Sequence, residues 1–205
     1  MAWNEKSAKS LKGKRIAIVA TNGFEESELF EPLKALRDAD ADVEIISPKA
    51  GKIRAWKDND WGSSIAVDRV VQEATPEDYD GLVLPGGVIN SDKLRGEADV
   101  VSFVKSIAEN GTPIAAICHA AWTLIETGCV SGHEMTSWPS LKTDLQNAGA
   151  NWVDREVVTD HGWVTSRKPD DLPAFNQKMI EEFGEGKHPP QRSTSIGESL
   201  NVGRL

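Results

Sequence analysis

Short continuous apolar runs alternate along this chain with stretches in which apolar residues recur every three or four positions. The runs Arg15 to Ala20 (R-I-A-I-V-A), Val43 to Ser47, Gly81 to Leu84 and Pro113 to Ile117 have the length and continuity of strands buried on both faces. Helical spacing follows in Glu25 to Asp38, where Leu29, Phe30, Leu33 and Leu36 form the apolar set, and in Asp99 to Glu109, which Asn110-Gly111 stops. Thr75 to Tyr79 opens a turn of helix, a further helix runs from Cys118 to Gly128, and Met135 to Trp138 is a short strand. Helices also start at Pro139, ending near Asn147, and cover Asp170 to Phe183. Two segments break the alternation. Ala50 to Val67, with Gly51, Gly62, Trp56 and Trp61, predicts a small hairpin beside the main sheet, and Val157 to Asp160 with Trp163 to Ser166 predicts a final hairpin.

Strands alternating with helices imply an α/β fold, a doubly wound, mostly parallel sheet with helices on both faces. Residues 14–183 form the one domain; 1–13 are a polar, loosely held lead-in with Trp3 as its large aromatic, and 184–205 a surface or disordered tail. In doubly wound sheets ligands bind beyond the carboxyl ends of the strands. Three turns fall there: Gly23-Phe24-Glu25, Pro85-Gly86-Gly87 and Cys118-His119. The second lacks the spacing and lysine of a phosphate loop. At the third, Cys118 sits where a strand runs into a helix, a cysteine version of the nucleophile elbow, with unpaired backbone N–H groups near its sulfur. The competing reading is a small buried apolar residue that closes a strand.

Charge and cysteine usage narrow the setting. A net charge of -9 over 205 residues argues against a nucleic-acid partner. No apolar run approaches the roughly 18 residues of a membrane span, and Met1 to Ser10 has no signal-peptide core. Two cysteines, Cys118 and Cys129, make no disulfide framework, which points to a reducing cytoplasm. Cys129 reads as packing, His161 as a hairpin turn residue, and His133 and His188 as exposed loop positions; no metal site is suggested by their spacing.

Four motifs together resemble one family. L-P-G-G (Leu84 to Gly87), A-I-C-H (Ala116 to His119), N-G-F-E-E-x-E (Asn22 to Glu28) and T-S-R-x-P-D-D-L-P-A-F (Thr165 to Phe175) are similar to the PfpI-type branch of the superfamily containing the parkinsonism-associated deglycase, related to the glutaminase domain of class I amidotransferases. The resemblance covers about Gly13 to Phe183. It implies a flavodoxin-like fold, a dimer or larger homo-oligomer, no cofactor, and peptidase, glyoxalase III or deglycase activity in stress defence. By motif, Cys118 is the nucleophile, Glu25 the acid beside its sulfur, and His119 the proton-transfer partner. Backbone N–H groups of Gly87 and His119 form the oxyanion hole by analogy with elbow enzymes. Ala120-Ala121 stand where family members carry Gly-Pro, and Asp92 is the nearest match to an acid that peptidase members take from a neighbouring subunit.

A free thiol with a pKa of about 8.5 is only about 3% thiolate at pH 7, and a helix start supplies up to ~2 kcal/mol of the ~3–4 needed to ionise it. An ionised Glu25 would oppose the thiolate, so the expectation is a neutral Glu25 donating a hydrogen bond to sulfur. Adjacent residues at a helix start point in different directions, so His119 acts either as a relay or only through its N–H. Three functions follow: an aldehyde-directed glyoxalase or deglycase, a peptidase or amidase passing through a thioester, and a non-enzymatic redox-sensing stress protein.

Overall fold

The computed structural model describes residues 9–189. Twelve strands and six α-helices follow in chain order: β1 Arg15–Val19, β2 Phe24–Glu25, α1 Glu26–Asp38, β3 Asp42–Ser47, β4 Lys52–Lys57, β5 Asp60–Ala66, β6 Arg69–Val70, β7 Gly81–Leu84, α2 Val88–Arg95, α3 Ala98–Glu109, β8 Ile114–Ile117, α4 Ala121–Thr127, β9 Glu134–Met135, α5 Lys142–Asn147, β10 Asn151–Trp152, β11 Val157–Asp160, β12 Trp163–Ser166 and α6 Leu172–Glu185.

The main sheet has the order β11-β12-β8-β7-β1-β3-β6. All its neighbours are parallel except β11 against β12. Taking β1, β3, β7, β8 and β12 as strands one to five, the order is 2-1-3-4-5, the flavodoxin-like arrangement whose switch point lies between β1 and β7. Side-chain alternation divides the core. Ile16, Ile18 and Val83 face α1 and α6 through Leu29, Phe175 and Phe183, whereas Ala17, Val19 and Leu82 face α3 and α4 through Val104, Ile107 and Leu124.

Several expectations are corrected. The segment after Gly87, where the sequence pattern assigns no element, forms α2 from Val88. The strand foreseen over Met135 to Trp138 shrinks to β9, which pairs in parallel with β10. The anticipated hairpin of residues 50–67 forms as β4 and β5, but β2 joins it to make a three-stranded sheet. Part of the lead-in is fixed, because Leu11 is fully buried and its N–H donates to the Ala39 carbonyl at 2.7 Å. The expectations for Trp3 and for the tail past residue 189 fall outside the described residues. No helix among those residues is long and apolar enough to cross a membrane.

Candidate active site

Strand β8 ends at Ile117, and Cys118 starts a short 3-10 turn that leads into α4. Its backbone lies at φ 62, in the left-handed region that a non-glycine residue rarely occupies. That conformation reverses the chain sharply enough to turn the sulfur outward from the sheet edge without the glycine an elbow ordinarily uses. Trp138 holds the turn from outside, its N–H donating to the Cys118 carbonyl at 3.2 Å. Cys118 is buried, with 8% of the residue exposed.

Two glycines let the neighbouring turn close on this residue. A Cβ on Gly86 would stand 2.7 Å from the Cys118 Cβ and 2.4 Å from Glu28 Oε2. At Gly87, φ is +88, and a Cβ would meet the Gly23 carbonyl at 2.5 Å. Only glycine at both positions allows the turns after β1, β7 and β8 to meet. Asn90, fully buried on α2, ties two of them: Oδ1 accepts from the Thr21 N–H at 2.7 Å, and Nδ2 donates to the carbonyls of Pro85 at 2.9 Å and Gly86 at 3.1 Å.

The acid at the sulfur is Glu28. Its carboxyl is fully buried beside Cys118, Oε2 accepts from the Gly86 N–H at 3.0 Å, Oε1 has no hydrogen-bond partner among the described residues, and its charge acts on the Cys118 thiol. Glu25 is placed otherwise, contrary to the motif reading. It is the N-cap residue of α1, and its carboxylate accepts from the hydroxyl of Ser27 at 2.9 Å. The physical reason is helical phase: Glu28 shares the inward stripe with Leu29, Pro32 and Leu36, whereas Glu25 precedes the first turn. Glu26 faces the hairpin instead, accepting from Lys57 Nζ at 3.0 Å and the Ser63 N–H at 2.6 Å.

Burial, with the charge of Glu25 added, pushes the Glu28 carboxyl up to about 8. It is therefore neutral at pH 7, the state expected of Glu25. Burial first, and then the Glu28 charge when that group is ionised, push the Cys118 thiol well up, and the backbone N–H groups of Gly87 and His119 offset this only in part. The two groups form a coupled pair: with the proton on Glu28 the repulsion vanishes, and the carboxyl O–H can donate to a thiolate. His119 Nδ1 lies 3.2 Å from Sγ, so the strained elbow brings both side chains together. Its ring packs edge-on to Trp122 and stacks with Trp138, and burial lowers its pKa, which leaves a neutral imidazole able to accept the thiol proton.

Asp92 lies exposed on α2 and makes no hydrogen bond or ion pair with His119 within the chain. Cys129 is buried, consistent with packing. Two histidines depart from their expected exposure: His133 is 2% exposed, and His188 rests on the Gly111–Gly162 surface, its N–H donating to the Gly111 carbonyl at 2.8 Å. Among the described residues two clusters have metal-ligand character, His133 with Asp160 and His161, and Glu182 with Glu185 and His188. Neither includes the cysteine.

A model of the DJ-1/PfpI family matches residues 14–182. "Putative cysteine protease YraA" of Bacillus subtilis is 40% identical over 167 residues, covering 82% of this chain and 96% of that protein. Protein/nucleic acid deglycase 2 of Escherichia coli is 39% identical over 172 residues, covering 83% and 98%. Among solved structures, a two-domain Anabaena variabilis protein containing DJ-1/ThiJ/PfpI-like and ferritin-like domains matches with a TM-score of 0.79 and 30% identity, over 83% of this chain and 48% of that longer one.

Proposed function

The chain belongs to the DJ-1/PfpI family, and from that premise we propose that it is a cysteine-nucleophile enzyme acting on reactive aldehydes and the groups they glycate. One observation carries the reading: a buried carboxyl with its pKa raised to about 8 lies beside the elbow cysteine, and an imidazole nitrogen stands 3.2 Å from the sulfur. Aldehyde chemistry needs little more than these three groups.

With methylglyoxal, His119 takes the thiol proton and sulfur adds to the aldehyde carbon, giving a hemithioacetal whose oxyanion the Gly87 and His119 N–H groups would receive. The hydrogen on that carbon then moves, through an enediol, to the adjacent carbonyl carbon, with Glu28 and His119 exchanging protons. A lactoyl thioester results. Water hydrolyses it to lactate and the free thiol, so one water is consumed and no redox partner is needed. The 39% identity to protein/nucleic acid deglycase 2 supports this substrate class.

A peptidase is the second reading, favoured by the Cys118–His119 contact and by the similarity to YraA. It would need an acid to orient His119. Asp92 is open to a second copy of the chain, so this reading also requires a homo-oligomer.

The test compares lactate formation from methylglyoxal with hydrolysis of an unfolded protein, using wild type and Cys118→Ser. The proposal expects the first activity in wild type alone and the second in neither. Equal behaviour of both proteins in both assays would leave a sensing or binding role.

A further inference from the structure

We propose that His133, Asp160 and His161 form a binding site for one zinc-like divalent transition-metal ion at the opposite end of the sheet from Cys118. Strands β11 and β12 join through His161-Gly162, and the loop before β9 carries His133 up to that turn. Asp160 stands between the two rings: Oδ2 lies 2.8 Å from His133 Nδ1, and Oδ1 lies 2.8 Å from His161 Nδ1. A ring nitrogen of each histidine and a carboxylate oxygen fall within 4.8 Å of one another.

Metal bonds of about 2.0–2.2 Å in a tetrahedron require ligand atoms roughly 3.3–3.5 Å apart, so the set closes with small movements. His161 can supply them, because its side chain is 66% exposed. His133 stays fixed, buried and stacked on the Trp163 ring at 4.2 Å. Its Nδ1 and the Glu134 N–H, 3.2 Å from Asp160 Oδ2, orient the carboxylate. Two neutral imidazoles and one carboxylate carry a net charge of -1 and offer two nitrogens and an oxygen, which suits zinc, nickel or cobalt and not magnesium or calcium. Coordination through Nδ1 requires each ring to carry its proton on Nε2, so the metal takes the place of the two hydrogens that bridge to Asp160. The exposed side of His161 leaves a fourth position for water.

The site is distinct from the catalytic one. Trp163 pairs with Ile114 and Ser166 with Ile117, which puts the cluster about four residues, roughly 13 Å along the strands, from the cysteine. A bound ion would join the β11–β12 hairpin to the loop before β9, and its readout is stability.

The experiment titrates zinc into the chelator-treated, untagged full chain by calorimetry, and repeats it with cobalt for its visible absorption band. Variants are His161→Asn, Asp160→Asn, Cys118→Ser and His188→Gln. Asparagine tolerates the φ of 47 at position 161, so that variant keeps the fold. The expected result is one zinc per chain in wild type, Cys118→Ser and His188→Gln, unaffected by excess magnesium. In His161→Asn the affinity falls about tenfold or more, the metal-free melting temperature is unchanged, and zinc no longer raises it. Asp160→Asn also loses the cobalt band. The site is overturned by a wild type that takes up no zinc, by zinc affinity that survives both His161→Asn and Asp160→Asn, or by binding that disappears in Cys118→Ser or His188→Gln.

Discussion

Glu28 and Glu25 stand three residues apart on one segment yet meet opposite surroundings. Glu25 caps a helix at the half-exposed surface; Glu28 is sealed against the sulfur with its carboxyl raised to about 8. Replacing Glu28 by Gln keeps a hydrogen-bond donor and removes the charge; replacing it by Leu removes both. The thiol of Glu28→Leu should therefore titrate higher than that of Glu28→Gln, and its turnover of methylglyoxal should fall about 10²–10⁴-fold. Glu25→Gln keeps an acceptor for Ser27 and should change stability by a few tenths of a kcal/mol, about the cost of a weakened cap. Thiolate absorbance against pH for the three variants decides it: one thiol pKa across wild type and both Glu28 variants removes Glu28 from the mechanism. The sequence did contain the distinguishing signal. A glutamate in helical phase with Leu29, Pro32 and Leu36 occupies an apolar stripe, where a charged residue is costly unless it has a task. Motif position after Phe24 pointed to Glu25, and phase points to Glu28.

Helix α2 shows why some elements stayed illegible while others were plain. The β11–β12 hairpin is read almost to the residue, because the strand-favouring segments V-V-T-D and W-V-T-S flank a two-residue turn ending in glycine. In α2 the buried positions are Asn90, Ser91 and Leu94, so polar residues occupy the inward face and no apolar period survives. The two-residue pairing of β9 with β10 is likewise too short for any alternation to register. The same polar face makes α2 a clamp. Asn90 joins the ends of β1 and β7, and Asn90→Ala would leave the Thr21 N–H and the Pro85 carbonyl without their Asn90 partners and the Gly86 carbonyl with the Glu25 N–H alone. We expect a loss of about 1–3 kcal/mol in chemical denaturation. A larger fall in turnover than in substrate affinity should accompany it, because the Gly86-Gly87 turn that meets the sulfur is no longer held. Asn90→Asp keeps the acceptor for Thr21 and loses both donors, so it should recover part of the stability and little of the rate. Equal kcat in wild type and both variants would reduce Asn90 to packing.

Across the whole molecule the two ends of the sheet respond oppositely to pH. At the amino end, Glu44 on β3 accepts from Arg69 Nε at 3.0 Å, from the Tyr79 hydroxyl at 2.6 Å and from Arg15. These partners, Arg69 foremost, hold its carboxyl down to about 2. A depressed acid contributes stability above its unfolded pKa of about 4.3 and loses it as pH falls toward the folded value. At the carboxyl end, Glu28 is raised to about 8, so between about 4.5 and 8 the folded chain holds a proton that the unfolded chain has released. Stability from this group therefore declines as pH rises through that window, by about 1.4 kcal/mol per unit at most. Urea unfolding from pH 3 to 9 should give a maximum near pH 5, with Glu44 shaping the acid limb and Glu28 the alkaline one. Glu28→Gln should flatten the alkaline limb and leave the acid limb unchanged, gaining stability at pH 8 while losing activity. That opposition is expected where a site holds a buried acid for chemistry and the scaffold bears the cost. An alkaline limb with the same slope in wild type and Glu28→Gln would mean that the carboxyl is ionised in the folded protein at neutral pH, and the neutral-acid mechanism would go with it.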